Sequence, residues 1–162
     1  MALTRLCRKG IIRQLACGLY DYPIDHPSFG RIPPSADAVA KALAKRDAAR
    51  LQPTGAYAAN ILGLSEQVPT RIVFLTDGPS RHVKFGQQEI VLKRNTPRNM
   101  ATAGRKSGTI IQALRHIGQR NINDKTLAII KRQLTPQDQA QLLKDLRHAP
   151  GWVSEIMRKL AA

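Results

Sequence analysis

The apolar positions at the start of the chain follow first a helical and then a strand period. Three of them share one face of a short helix that ends at Gly10, namely Leu3, Leu6 and Cys7. Two β-prone runs follow on either side of Gly18, which supplies the positive φ that a tight or bulged hairpin requires. The pattern therefore predicts a helix followed by a β-hairpin within residues 1–22.

Residues 23–34 hold four prolines and Gly30, a composition that predicts a linker. A helix is then expected to begin at Ser35, a suitable N-cap residue, and to continue to about residue 48. Its inward positions are Val39, Ala40, Leu43 and Ala44. Pro53 interrupts the chain, and a second, shorter helix is predicted over 56–62.

Three strand-like runs follow, at 71–76, 81–85 and 88–94, and each is bounded by a turn signal. The sequence Asp77-Gly78-Pro79 is the clearest of these turns. Consecutive strands joined by such short connections predict an antiparallel meander.

The remaining residues show a helical period and predict four helices, over 107–117, 124–134, 137–148 and 151–160. The first of these carries one apolar stripe, formed by Ile110, Ile111, Leu114 and Ile117. We expect this stripe to face the sheet and Trp152 with Ile156 to close the same core. The fold class is therefore predicted as α+β, with a small antiparallel sheet packed against helices and a helical C-terminal part.

Charge adds the strongest functional signal. The chain carries 26 Lys and Arg against 11 Asp and Glu, a formal net charge of +15. A field of this sign attracts polyanions, so nucleic acid is the first candidate partner and an anionic membrane surface the second. The excess is spread along the chain and is densest in residues 105–162.

Several kinds of chemistry find no support in the residues. Cys7 and Cys17 lack metal-ligand spacing with the histidines, and we expect them to be buried structural thiols. The chain has no P-loop, hydrolase or zinc-protease motif, so we expect no enzyme activity, no metal and no cofactor. No apolar run approaches the ~20 residues of a membrane span, and we expect a cytoplasmic protein without a membrane partner.

Four distinctive strings occur along the chain: KGIIRQL at 9–15, RLQPTGAY at 50–57, LTDGPS at 75–80 and RNTPR at 94–98. Together with the helix before the first string, they resemble the AbiEi-type antitoxin family, the DNA-binding half of abortive-infection, type IV toxin–antitoxin pairs. That family has a winged helix-turn-helix with helices before its recognition helix, whereas here the resemblance begins at the recognition helix. It therefore implies a partial winged-helix DNA-binding element at 1–22, a linker at 23–34 and an α+β antitoxin domain at 35–162.

The resemblance also implies roles for five residues of the first element. Thr4, Arg5 and Arg8 would approach base edges or phosphates from the helix, and Lys9 and Arg13 would contact phosphates at the root of the wing. The protein would repress its own operon by binding operator DNA. It would also neutralise a cognate nucleotidyltransferase toxin, through a functional link that need not be a direct contact, and a homodimer stays an open alternative.

A second interpretation is a sequence-tolerant RNA- or DNA-binding protein that uses the basic C-terminal helices. The cations that would face a nucleic acid or a toxin there are Arg105, Lys106, Arg115, Lys131 and Arg132. For both groups of residues the alternative remains that they form a solvated surface without a partner.

Overall fold

The structure, a computed structural model, describes residues 2–162 and has an α+β fold, as predicted. The helices are α1 Ala2–Arg8, α2 Ala36–Arg46, α3 Gly55–Ile61, α4 Lys106–Ile117, α5 Asp124–Lys131, α6 Pro136–Asp145 and α7 Gly151–Ala161. The strands are β1 Arg13–Ala16, β2 Leu19–Asp21, β3 Ile24–His26, β4 Gly30–Ile32, β5 Leu51–Pro53, β6 Arg71–Thr76, β7 Arg81–Phe85 and β8 Gln88–Arg94.

The largest sheet has four strands in the order β5-β6-β8-β7. Strands β6 and β8 are parallel, with Ile72 opposite Ile90 and Phe74 opposite Leu92, and β7 pairs antiparallel with β8. The predicted antiparallel meander is therefore wrong, because β8 lies between β6 and β7 instead of beyond β7.

The burial pattern explains this strand order. β7 exposes His82 and Lys84 between buried residues, and charged side chains are well suited to an edge strand because they discourage pairing with another chain. β8 buries Ile90 and Leu92, and its seven residues pair with neighbours on both sides. The more apolar strand therefore occupies the inner position.

Two hydrophobic cores stabilise the molecule. In the first, which we call the sheet core, α2 packs across the sheet and buries Val39 and Leu43 against residues such as Phe74. In the second, the helical core, α3 to α7 enclose Ile110, Ile111, Leu114, Leu142 and Met157. The apolar stripe of α4 was expected to face the sheet, and that expectation is wrong, because Ile110, Ile111 and Leu114 pack in the helical core and not with the buried residues of the strands. Trp152 and Ile156 do pack against the same core as Ile110, as predicted.

Local signals set the helix starts. The Ser35 hydroxyl accepts a hydrogen bond from the Ala38 amide, which confirms the predicted N-cap of α2. Asn123 caps α5 by accepting from the Thr126 amide. Thr135 and Asp138 form a capping box at α6, with Pro136 in its first turn. Each cap satisfies amide groups that would otherwise lack a partner at a helix start.

The N-terminal region contains the predicted helix and hairpin, α1 followed by β1 and β2. Residues 23–34, predicted as a linker, hold a second short hairpin formed by β3 and β4. Cys17, in the turn of the first hairpin, is exposed and Cys7 is half-buried, so the expectation of buried thiols is wrong. Leu15, Ala16 and Leu19 of the first hairpin pack against the sheet core. The sheet therefore supports the first hairpin. The α1 helix and the strands β3 and β4 of the second hairpin lie beside it, and none of these three elements contains a buried residue.

Candidate nucleic-acid interface

The α1 helix presents a cluster of unpaired cations. Thr4, Arg5, Arg8 and Lys9 are exposed, and Arg8 shares a face with Thr4 and Arg5 by its spacing of four and three residues. Within residues 2–162, the side chains of Arg5, Arg8 and Lys9 make no ion pair with a carboxylate. Three predicted DNA-contacting cations are therefore free to bind an external anion.

Arg13, the fifth residue predicted to contact DNA, is differently placed. Its Nη2 lies 2.7 Å from Oδ2 of Asp21, and it also donates to the backbone carbonyl of Ile32 at 3.3 Å. The guanidinium thus joins β1 to β2 and to β4. Arg13 is positioned to hold the two hairpins together, and its charge is balanced within the protein.

The position of α1 is set by hydrogen bonds at its C-terminal end. The Ile11 amide donates to the Leu6 carbonyl at 3.1 Å, and Gly10 has a φ of 68°, which disfavours any residue with a Cβ. Arg31 of β4 donates from Nη2 to the Gly10 carbonyl at 3.0 Å. The second hairpin therefore fixes the orientation of α1 relative to the first hairpin.

The five predicted C-terminal cations do not form one patch. Arg105 lies 2.7 Å from a carboxylate oxygen of Asp145, and Lys106 lies 2.7 Å from one of Asp138. Lys131 donates to the Ala162 carbonyl at 2.9 Å. Arg115 and Arg132 are exposed, and Arg115 lies about 14 Å along α4 from Lys106, at 1.5 Å per residue.

Arg115 belongs instead to a basic cleft that the sequence pattern did not reveal. Arg98, Arg115 and Arg147 line one cavity of about 440 Å³ together with Asn99 and His148. Arg115 and Asn99 also line an adjoining cavity of about 380 Å³, which contains His116 and Gln112. We call these two adjoining cavities the arginine cleft.

Three parts of the chain that are distant in sequence build the arginine cleft. Arg98 lies in the loop after β8, Arg115 in the last turn of α4, and Arg147 in a single 3-10 turn after α6. Arg98 is part of the RNTPR string, and Arg115 was one of the five cations predicted to face a nucleic acid or a toxin. Nothing local distinguishes Arg147 from any other exposed arginine, so only the tertiary structure brings it to the site.

The loop between β8 and the cleft is well ordered by its own hydrogen bonds. The Asn95 side-chain oxygen accepts from the Thr96 amide and from Nδ2 of Asn99, both at 2.8 Å. The Asn95 amide donates to the Thr76 carbonyl at 2.8 Å, and Met100 at the end of the loop is fully buried. The loop therefore holds Arg98 and Asn99 in place without a ligand.

Asp77 is the acidic group nearest in sequence to the end of β6. Its pKa is lowered by hydrogen bonds from the Arg50 backbone amide and then from the Arg50 guanidinium. The carboxylate is therefore ionised at neutral pH, and its charge is matched by Arg50. It lies in a separate depression with Arg94 and Asn95 and does not line the arginine cleft.

The described part of the chain offers neither a metal site nor a membrane-spanning helix. No group of three or more His, Cys, Asp or Glu side chains in residues 2–162 is arranged to hold a metal ion. None of the helices in that range has the length and apolar character needed to cross a membrane. The arginine cleft and the α1 cations are thus the strongest functional features of the described structure.

Comparison with protein families matches residues 1–142 to DUF6088, a family of unknown function. Searches of curated proteins and of solved structures found no significant match. The family match spans α1, both hairpins, the sheet and the arginine of α4, and it ends within α6. The chain therefore belongs to the DUF6088 family.

Proposed function

We propose that this protein is a DNA-binding antitoxin of a type IV, AbiE-like toxin–antitoxin pair, which represses its own operon and neutralises a nucleotidyltransferase toxin. The toxin–antitoxin part rests on the resemblance of the four sequence strings. The DNA-binding part also has support from the geometry of the N-terminal region. Operator DNA and the toxin are the partners that this function requires.

One observation carries the DNA-binding part of the proposal. Arg5, Arg8 and Lys9 project from a helix without buried residues, and no carboxylate in the described chain neutralises them. Unpaired arginines and lysines on an exposed helix are the groups that contact phosphates and guanine edges in a DNA groove. In this proposal, the β1–β2 hairpin that follows α1 acts as the wing that contacts the flanking backbone.

The sheet supplies the support that a seven-residue helix lacks by itself. A helix of two turns is marginal in water, so it requires a fixed scaffold to enter a groove. Arg31 holds the end of α1 to β4, and Arg46 of α2 donates to the Cys17 carbonyl in the β1–β2 turn at 2.6 Å. These contacts connect the proposed DNA-binding surface to the sheet core.

A double substitution, Arg5→Ala with Arg8→Ala, tests the DNA-binding part. We expect binding to a duplex from the protein's own upstream region to weaken by more than about 1 kcal/mol, the low end for specific contacts. Fluorescence anisotropy at two salt concentrations also gives the change in the number of phosphates neutralised. A matched control, Arg120→Ala with Arg158→Ala, removes the same charge from two exposed C-terminal arginines and is expected to leave that affinity nearly unchanged.

Two results would overturn the proposal. If the α1 variant and the control weaken binding equally, the effect is one of net charge and α1 has no specific role. The toxin part predicts a nucleotidyltransferase reading frame beside this one, and growth of cells that express it should depend on coexpression of this protein. Growth without coexpression would contradict the toxin–antitoxin assignment while leaving DNA binding intact.

A second candidate is sequence-tolerant nucleic-acid binding through the C-terminal helices. It is favoured by the exposed, unpaired side chains of Arg115 and Arg132 in the described structure. A binding affinity that is equal for upstream and random duplex, and that falls when Arg115 and Arg132 are changed to Ala, would support this candidate over the first.

A further inference from the structure

We propose that the arginine cleft is a binding site for a nucleoside phosphate, either a free nucleotide or the terminal nucleotide of a single strand. The phosphate would occupy the larger cavity, between Arg98, Arg115 and Arg147, and the base the adjoining one. This site is separate from the proposed duplex-binding surface on α1 and does not depend on the antitoxin assignment.

The charge of the larger cavity selects an anion. Its lining includes three guanidinium groups and no carboxylate, and within residues 2–162 none of the three arginines forms an ion pair. Like charges held together without counter-charges repel each other, so an arrangement of this kind is stabilised by a bound anion. A guanidinium donates two parallel hydrogen bonds to phosphate oxygens, which makes phosphate the anion that several arginines suit best.

Uncharged polar groups of this cavity can also form hydrogen bonds to a phosphate. Thr96 and Asn99 lie in its wall and provide neutral hydrogen-bonding groups beside the guanidinium groups. Nε of Arg147 donates to Nε2 of His148 at 3.3 Å, so this imidazole nitrogen accepts a hydrogen bond and helps to orient the arginine. The terminal nitrogens of Arg147 remain available to an anion.

The adjoining cavity is lined by a hydrogen-bond donor and an acceptor, on Gln112 and Asn99. Thr54 donates to Oε1 of Gln112 at 2.8 Å, which leaves Nε2 of Gln112 as a donor without a protein partner in the described chain. Nδ2 of Asn99 donates a hydrogen bond to Asn95, and Oδ1 of Asn99 remains as an acceptor. A donor and an acceptor in one cavity suit the edge of a nucleobase, and the ring of His116, which lines the same cavity, is of a kind on which bases stack.

The cavity assigned to the base lies at the carboxyl ends of two parallel strands. Strands β6 and β8 are parallel and both end at this edge, where Leu75 and Asn95 line the cavity. Ligands of open sheets bind in the crevice outside the carboxyl ends of parallel strands. The two cavities, of about 440 and 380 Å³, each lie in the range of roughly 300–1,000 Å³ common for small-molecule sites.

Isothermal titration calorimetry with ATP, GTP, CTP and UTP tests the site on the full chain. We expect at least one nucleotide to bind with a micromolar to submillimolar dissociation constant and to bind more tightly than inorganic tripolyphosphate. Changing Arg98, Arg115 and Arg147 together to Ala should weaken that binding at least about tenfold, because charge-assisted hydrogen bonds to the phosphate are lost. Since none of the three forms an ion pair, the triple variant is expected to keep its circular dichroism spectrum.

A control variant, in which Arg120, Lys144 and Arg158 are changed to Ala, removes three exposed cations outside the cleft. It should bind the nucleotide as the unmodified protein does. Gln112→Leu should lower the preference for a nucleotide over tripolyphosphate and leave tripolyphosphate binding unchanged. Equal binding by the cleft variant and the unmodified protein, or no nucleotide binding by the unmodified protein at millimolar concentration, would overturn the proposal. Equal affinity for tripolyphosphate and every nucleotide would overturn the assignment of the base cavity.

A second titration distinguishes the two sources of the nucleotide. Single-stranded RNA hexamers with and without a terminal phosphate are compared with the mononucleotide that binds best. Tighter binding of the phosphorylated hexamer, lost in the cleft variant, assigns the site to a strand end, and tighter binding of the mononucleotide assigns it to a free nucleotide. The Arg5→Ala, Arg8→Ala variant should bind nucleotide normally, so a failure of the duplex-binding proposal is distinguishable from a failure of this one.

Discussion

The N-terminal region, 2–34, and the rest of the chain, 35–162, are stabilised by different forces. In 2–34, Pro23 is the single buried residue, and large apolar side chains face solvent, with Tyr22 72%, Ile24 67% and Phe29 80% exposed. In 35–162, the sheet core and the helical core bury whole faces of strands and helices. Burial of apolar area is the main stabilising term in a folded protein, so the two regions must differ widely in local stability.

Residues 2–34 are held by the packing of Leu15, Ala16 and Leu19 against the sheet core and by hydrogen bonds from arginines to backbone carbonyls. Arg31 binds the Gly10 carbonyl, Arg13 the Ile32 carbonyl, and Arg46 of α2 the Cys17 carbonyl. Exposed contacts of this kind contribute about 1 kcal/mol each and do not cooperate as a core does. Surfaces that bind partners are commonly drawn from such low-stability parts of a protein, which agrees with the DNA-binding role proposed for α1.

The largest change in the free energy of unfolding is expected for a substitution in the helical core. Leu142 is fully buried and Leu143 beside it is 50% exposed. Leu142→Ala should lower the free energy of unfolding by about 2–5 kcal/mol, because it leaves a cavity among packed helices. Leu143→Ala, the matched control, should change it by less than about 0.5 kcal/mol. Urea denaturation measures both, and equal effects would show that the helical core is not the stabilising unit.

A second substitution tests how tightly α4 packs against β5 of the sheet. A Cβ on Gly108 of α4 would collide with Oε1 of Gln52 on β5 and with the Thr102 carbonyl, and Gln52 is fully buried. Gly108→Ala should therefore destabilise the protein by about 1–3 kcal/mol. Gly151→Ala in the first turn of α7 meets no atom within 4 Å, and it should be neutral or slightly stabilising. A neutral Gly108→Ala would mean that α4 can move away from β5 without cost.

The smallest loss of stability is expected for a substitution that removes a contact to the N-terminal region. Arg46→Ala removes the hydrogen bond to the Cys17 carbonyl and should cost about 1 kcal/mol locally. Hydrogen exchange of the β1 and β2 amides should then accelerate by roughly fivefold, since about 1.4 kcal/mol corresponds to a factor of ten. The thermal midpoint should change little. Lys45→Ala, an exposed neighbour with no ion pair in the described chain, is the control, and a fall in global stability for Arg46→Ala alone would show that the two regions unfold together.

Local signals predicted much of the fold. Ser35 was recognisable as a helix start because its side chain caps an amide only three residues away. The three residues of β5 were missed, because Leu51-Gln52-Pro53 is too short for a period and contains a proline. Its place at the sheet edge, opposite Thr76 to Phe74 of β6, depends on contacts across the chain.

The candidate sites divide in the same way. Arg5, Arg8 and Lys9 were identified from the sequence because their helical spacing alone puts them on an exposed surface. The arginine cleft was not, because Arg98, Arg115 and Arg147 converge only when the β8 loop, α4 and the turn after α6 pack together. The predicted C-terminal patch also overlooked internal pairing, since Asp145 and Asp138 bind two of its five cations.

The sequence by itself determined the secondary structure of most segments, the excess of positive charge and the identity of the exposed face of α1. These follow from interactions among residues a few positions apart, which a local pattern records. The tertiary structure decided that β8 lies between β6 and β7, that α4 faces the helical core, and which cations remain unpaired. These depend on the free energy of packing whole elements together, since strand partners, shared cores and ion pairs join residues that are far apart in the chain.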